Sequence, residues 1–261
     1  MKLSLCINAF NEEKNIHIPL DSAYDLVDEV IIVDGSSKDK TVEIAKSYGA
    51  KVKIFVVDNP RNFLTNKQRA IEKASGEWIL QLDADEAVSK ELGEEIKSVV
   101  NEAKYSGYNI PRKNWFLTRF LMKGGVYPDH VLRLYKRSGA KFDLKDIHEN
   151  VKVIGEVGYL RNALLHYADP NFSRYLLRWD RYTTFDAGEL AKKFKYPVSS
   201  IQYLLTGINY FIIKPIHWFF KTYFRHKGFM DGFPGFVFSL FSSTRFWVIY
   251  IKWWTIKNKK N

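Results

Sequence analysis

Three clusters of polar side chains in the first third of the chain have the types and spacing that chemistry needs. The first is the run EWILQLDADE, residues 77–86. An apolar segment leads straight into Asp83-x-Asp85, and carboxylates two apart on an extended chain point to the same side. At a strand end such a pair can share one hard cation and the diphosphate bound to it. The second is EVIIVDGSSKDKT, residues 29–41, where an apolar strand ends in Asp34 and a Gly-Ser turn follows. An acid there can accept hydrogen bonds from a base edge or a ribose, or it can close an Asx-turn ahead of the next helix. The third is INAFNEEKNI, residues 7–16, with Phe10, Asn11, Glu12 and Glu13 just past another apolar run. The two glutamates also suit the positive end of a following helix.

The surrounding pattern predicts how these clusters are held. Strand-like runs at Leu3–Ala9, Glu29–Asp34, Val52–Asp58 and Trp78–Asp83 alternate with helical patterns near 12–26, 39–48, 65–75 and 89–104. Asp39 and Ser89 are the expected N-caps. This alternation predicts an α/β domain with a mixed, mainly parallel sheet flanked by helices. Ligands of such sheets sit beyond the carboxyl ends of the strands, where all three clusters fall. From 107 to 168 short strands (GYNIP, VLRLYKR, NVKVIGEV, NALLHYA) replace the alternation, which reads as an antiparallel extension. Asp169-Pro170 is the expected start of a helix, with Asp as N-cap and Pro at the first helical position. The expected division is a catalytic domain over 1–168 and a helical, aromatic-rich extension over 169–261.

Charge separates the two parts. Residues 1–170 hold 25 Lys/Arg and 25 Asp/Glu, whereas 171–261 hold 15 and 4, so the whole net charge of +11 lies in the second part. That part also carries 25 of the 41 aromatics. Its expected partner is therefore anionic and partly apolar, as a membrane surface is. The apolar stretches Val198–Ile213 and Phe233–Trp254 are too short or too interrupted to span a bilayer. They are expected to lie in the interface as monotopic helices on the cytoplasmic face, or else to pack as an aromatic core. The start of the chain turns acidic and polar after one short apolar run, so a strand is expected there, not a signal peptide. The lone Cys6 allows no intramolecular disulfide, which fits a reducing compartment. GxGxxG, GxxxxGK[ST] and CxxC are all missing, so dinucleotide, P-loop and zinc readings lack support.

Together the motifs resemble family 2 glycosyltransferases with the GT-A (Rossmann-like) fold. AFNEE is similar to that family's PAYNEE, VDGSSKDKT to VDSGSTDGT, and ASGEWILQLDADE to the stretch ending in the metal-binding DxD. GGVYPDHVLRLYKR (124–137), DIHENV (146–151), NALLHY (162–167) and GFMDGFPGF (228–236) resemble, in order, elements of the lipopolysaccharide core glucosyltransferase subgroup. The resemblance implies a nucleotide-sugar donor, expected to be UDP-linked, held by Phe10, Asn11, Glu12, Asp34 and Asp83. It implies a divalent cation, Mg²⁺ or Mn²⁺, with Asp85 as direct ligand, Asp83 on the metal and ribose side, and His166 as a late ligand. It implies an inverting reaction on a saccharide hydroxyl of a lipid-linked or lipopolysaccharide-type acceptor, with Glu149 as first choice of general base and Asp129 as second. Arg133, Lys136 and Arg137 either meet phosphates or form a solvated strand face. A polyprenyl phosphate acceptor and, less favoured, a nucleotidyl transfer are the enzymatic alternatives. A basic module binding a membrane surface or single-stranded nucleic acid is the non-enzymatic one, disfavoured by the acidic strand ends; no nucleic-acid partner is expected.

Overall fold

The computed structural model describes residues 2–59, 64–142, 151–194 and 198–258. The chain divides into two compact units, one of residues 1–113 and 128–167, the other of 114–127 and 168–261.

In the first unit β1 (Leu3–Ala9), α1 (His17–Ala23), β2 (Glu29–Asp34), α2 (Thr41–Ser47), β3 (Val52–Val56), α3 (Leu64–Lys73) and β4 (Trp78–Asp83) follow the alternation read from the sequence. A short β5 (Glu86–Val88) and α4 (Lys90–Glu102) come next. The later strands are β6 (Gly107–Phe116), β7 (Arg119–Leu121), β8 (Asp129–Lys136), β9 (Lys141–Phe142), β10 (Val151–Lys152), β11 (Val157–Tyr159) and β12 (Leu164–Asp169). The main sheet runs β3-β2-β1-β4-β8-β6-β12-β5. β1 to β4 are mutually parallel, and β8 turns the sheet antiparallel by pairing with β4 and β6. β9 and β10 form a separate ribbon.

The first strands read as unbroken apolar runs because both of their faces are covered. Leu3, Leu5 and Ile7 of β1 and Val30 and Ile32 of β2 pack in one core with residues of α1, α2 and α4. Cys6, Ile31 and Val33 point the other way, into a second core with Leu64, Ala70 and Ile71 of α3. The thiol is buried and its pKa is pushed far up, mainly by that burial.

At the amino ends of these strands the buried Glu29 ties three segments together. Its Oε1 accepts from Ser4 Oγ at 2.7 Å, Ser75 N at 2.6 Å and Gly76 N at 3.1 Å, while Oε2 pairs with Lys53 at 2.9 Å. Gly76 is confined to glycine here, since an added Cβ would stand 2.3 Å from Ser4 Oγ and 2.9 Å from Ser4 N.

Two of the expected caps differ in detail. Ser89 caps α4 by accepting from Leu92 N at 3.2 Å, as its position predicts. Asp39 lies one residue before the N-cap of α2, Lys40, yet its carboxylate still takes Thr41 N at 3.1 Å. Asp169 is not the cap of the next helix. It closes β12 and pairs with Arg178, and Asn171 caps instead, its extended backbone letting Oδ1 accept from Arg174 N at 2.9 Å.

The second unit is mostly helical. It contains α5 (Phe172–Lys193), α6 (Ser200–Ile208), α7 (Lys214–Phe219) and α8 (Gly232–Asn258). π-helical segments Asn209–Ile213 and Phe220–Arg225 flank α7, so 200–225 is one helical run. Pro215 explains the first irregularity, since it has no N–H to give to the carbonyl four residues back. That carbonyl, Phe211 O, accepts from Trp247 Nε1 of α8 at 2.9 Å. Ser199 opens the run with a capping box closed by Gln202. Among the described residues no helix is long and apolar enough to cross a membrane.

Candidate active site

Parallel pairing brings the three sequence clusters to one edge of the sheet. Ala9 is in register with Asp34, and Asn8 with Asp83. The loops after β1 and β2 are then laced together. Asn11 N donates to Ser37 Oγ at 2.8 Å, and Asn11 Oδ1 accepts from Lys38 N at 2.8 Å. Glu12 N donates to Thr41 Oγ1 at 2.8 Å and Glu13 N to Asp39 Oδ2 at 3.0 Å. Asn11 has φ of 55°, a left-handed conformation that its short amide side chain tolerates. Phe10 beside it is exposed.

Asp34 is buried, and both carboxylate oxygens are used within its own turn. Oδ1 accepts from Ser37 N at 2.8 Å and Oδ2 from Ser37 Oγ at 2.5 Å. Ser36 takes the left-handed position in this turn, with φ of 63°, and its hydroxyl donates to Val57 O at 2.7 Å. Its serine thus stands where a turn of this shape favours glycine.

The end of β4 carries a dense ionic network. Asp83 Oδ1 pairs with Lys67 Nζ at 2.5 Å, and Oδ2 pairs with Arg133. Glu86, with no solvent exposure, accepts through Oε1 from Arg133 and from Arg112, each at 2.9 Å, and through Oε2 from Asp83 N at 2.9 Å. Arg112 also grips Asp129, its partner across the β6–β8 pair, with Nε at 3.0 Å and Nη2 at 2.8 Å from Oδ2. Three cations, Lys67, Arg112 and Arg133, thus face three carboxylates, Asp83, Glu86 and Asp129. Burial by itself would push the Asp83 carboxyl up, but Arg133 and Lys67 outweigh it and hold the group well below the usual carboxylate range. Burial pulls the Lys67 ammonium down, with Asp83 opposing.

Asp85 faces a different neighbour. β12 pairs antiparallel with β5 so that His166 lies opposite Glu86, and Tyr167 N donates to Asp85 O at 2.8 Å. This sets His166 Nε2 3.5 Å from Asp85 Oδ1. A carboxylate oxygen and an imidazole nitrogen are a donor pair that fits a divalent ion such as Mn²⁺. Among the described residues no third His, Cys, Asp or Glu completes a metal-binding group.

The structure therefore gathers Asn11, Glu12, Asp34, Asp83, Asp85, His166 and Asp129 within the first unit. Glu149 lies outside the described residues. Sequence reading passed over Lys67, Arg112 and Glu86 and left Arg133 between two roles. Lys67 gave one signal: it shares the buried side of α3 with Leu64 and Ile71, three and four positions away. Arg112 gave none, because only the pairing of β6 with β8 sets it opposite Asp129.

The glycosyl transferase family 2 model matches residues 4–164. A glycosyltransferase of Rickettsia bellii is 32% identical over 260 residues, covering 94% of this chain and 84% of that one. The lipopolysaccharide core biosynthesis glycosyltransferase LpsC of Rhizobium meliloti is 27% identical over 248 residues, covering 91% and 86%. The crystal structure of S. aureus TarS in complex with UDP superposes with a TM-score of 0.49 at 13% identity, covering 100% of this chain and 92% of that one.

Proposed function

The chain belongs to glycosyltransferase family 2, and from that premise we propose that it moves a sugar from a UDP-linked donor onto a saccharide hydroxyl of a lipid-linked or lipopolysaccharide-type acceptor, with inversion. The observation that carries the donor half is the pairing of Asp85 with His166 at the end of β4, beside the strand ends that bear Asn11 and Asp34. The similarity to LpsC, a lipopolysaccharide core biosynthesis glycosyltransferase, supports the acceptor class.

In this reading Phe10, Asn11, Glu12 and the Asp34 turn hold the nucleoside, with Asp34 acting through the shape it gives the Ser36-Ser37 turn. Asp83 serves the ribose and metal side, its carboxylate oriented by Lys67 and Arg133. Asp85 and His166 would hold a divalent cation, Mn²⁺ in preference to Mg²⁺ because one donor is an imidazole. A cation held there would supply positive charge to offset the negative charge growing on the departing diphosphate.

The acceptor hydroxyl has a high pKa, so a carboxylate must take its proton as the new bond forms. A base on the face opposite the leaving group gives inversion. Asp129 is engaged by Arg112, which suits a positioning role, and the base assignment stays with Glu149. The second unit, with its excess of basic and aromatic residues, rests on the cytoplasmic face of a membrane where a lipid-linked acceptor is presented.

The deciding experiment is a donor screen. The protein is incubated with manganese or magnesium and a panel of sugar nucleotides, and released nucleoside diphosphate is measured. UDP release from one UDP-sugar supports the reading. No nucleoside diphosphate release with any donor overturns it, and so does pyrophosphate release in a parallel incubation with nucleoside triphosphate and sugar 1-phosphate.

A further inference from the structure

The helical run 200–225 leaves a long apolar stripe in the open. Leu204, Ile208, Ile212, Ile216, Phe220 and Phe224 recur every fourth residue, and each keeps 41–62% of its surface exposed. The buried positions of the run are Thr206, Pro215 and Thr222, and its inward aromatics Tyr203, Tyr210 and Trp218 pack against Phe246, Ile249 and Trp253 of α8. On the facing helix α8 Phe246, Ile249 and Trp253 are buried together with Ser239, Ser242 and Ser243, whereas Phe233, Trp247 and Ile251 are exposed. Large apolar groups left outside, with serines and threonines among the helix contacts, are features of helices packed in lipid.

The two π-helical segments have a part in this. At 3.6 residues per turn, a spacing of four carries a stripe about 40° around an α-helix at each step. Over five steps the stripe would reach the opposite side. A π-helical turn is wider, about 4.4 residues, and rotates the stripe back. The segments at Asn209–Ile213 and Phe220–Arg225 thus oppose the drift and keep the six side chains toward one side.

We infer that this face, together with the outward side of α8, inserts into the headgroup and upper acyl region of an anionic bilayer. The inference rests on the membrane reading above and specifies the surface that makes the contact. Charge selects the occupant. Residues 171–261 carry 15 basic against 4 acidic side chains, which favours an anionic lipid surface and opposes apposition of two copies of this chain. Lys214 and Lys221 set their ammonium groups over the rings of Tyr210 and Trp218, 3.7 and 4.9 Å from the centroids, so both charges lie against aromatic faces. Since no described helix is long and apolar enough to cross, the run lies in the plane of one leaflet.

The test uses the full chain and vesicles of phosphatidylcholine and phosphatidylglycerol in equal parts. Wild type should float with the vesicles, be released only partly by high salt, and need detergent for full release. The triple variant Leu204→Gln/Ile208→Gln/Ile212→Gln should lose vesicle partitioning at least about tenfold while releasing nucleoside diphosphate from soluble donor at the wild-type rate. Depth is read separately, so that a misfolded triple variant does not decide the matter. Ile212→Cys carries an environment-sensitive fluorophore; native Cys6 is fully buried and stays unlabelled. Brominated acyl chains should quench the label at 212 and leave one at Glu94→Cys, in the first unit, unchanged. Equal flotation of wild type and triple variant, or no quenching at 212, overturns the inference. So does a wild-type dimer that ignores vesicles and that the triple variant turns into monomers. Flotation and quenching need no substrate. A protein that passes both and releases no nucleoside diphosphate refutes the sugar-transfer reading alone.

Discussion

Replacing Glu86 by glutamine removes one charge from the centre of the network at the end of β4 and changes almost nothing in size. The carboxylate has no solvent exposure and accepts three hydrogen bonds, two from arginines and one from Asp83 N, each 2.9 Å long. An amide offers one acceptor and one donor. With its oxygen toward the arginines, its NH₂ meets the Asp83 N–H donor to donor; turned over, it meets two guanidinium groups. Three cations then face two carboxylates. Hydrogen bonds to charged groups contribute about 1.5–3 kcal/mol each, and breaking a buried ion pair from one side costs about 3–5 kcal/mol. The second figure already contains the lost bond, so the expected destabilisation is about 3–5 kcal/mol. At a urea m value of about 2 kcal/mol per M the unfolding midpoint should fall by about 1.5–2.5 M. Urea titration followed by circular dichroism measures it. Adding Arg112→Met to Glu86→Gln should cost less than Arg112→Met costs in wild type, because the arginine it removes has already lost a partner. A midpoint shift below about 0.5 M, or strictly additive effects in the double variant, would refute the view that these charges hold one another.

Further outcomes follow from the site and from the strand ends opposite it. Asp85→Ala or chelation with EDTA should abolish turnover with the fold intact by circular dichroism; full activity in metal-free buffer would sink the metal assignment. His166→Ala should raise the manganese concentration needed for half-maximal activity while leaving turnover at saturating metal far closer to wild type than Asp85→Ala does. Glu149→Gln should lower turnover by about 10²–10⁴ with donor affinity nearly unchanged, and the same pattern in Asp129→Asn instead would move the base there. At the other end of the strands, burial would raise the Glu29 carboxyl, but hydrogen bonds from Ser4, Lys53 and Ser75 hold it well below its ordinary value. A depressed folded pKa adds stability that is fully present above the unfolded value of about 4.3 and is lost as pH falls through the folded one. The stability gap between wild type and Glu29→Gln should therefore be wide near neutral pH and narrow on acidification, as read from urea midpoints at about pH 7 and about pH 3.

Much of the first unit could be read directly from the chain because the signals there are local. Apolar runs of strand length separated by amphipathic segments place β1, β2 and β4 to the residue, and Val52–Asp58 overran β3 by two positions. Each parallel strand must end where its connection leaves the sheet, so Asn11, Asp34 and Asp83 were bound to share an edge once those strands paired. Ser89 declared its cap by type and position. The excess of charge and aromatics in 171–261 needed only counting.

What only the tertiary structure decided depends on register and on which side of an element faces its neighbour. A family resemblance joined His166 to Asp85, but their contact exists because β12 pairs antiparallel with β5 in one particular register. Arg112 reaches Asp129 across a pair of strands whose connecting segment gives no hint of it. Arg133 is a largely covered counter-ion of Asp83 and Glu86, where the sequence allowed a phosphate contact or a solvated face. The apolar stretch Val198–Ile213 was legible, and which way its side chains faced was not. Such a stretch reads the same whether it meets a core or a bilayer. Only the packing of Tyr203 and Tyr210 against Trp253 and Phe246 of α8, with Thr206 buried in the same run, turns Leu204, Ile208 and Ile212 outward.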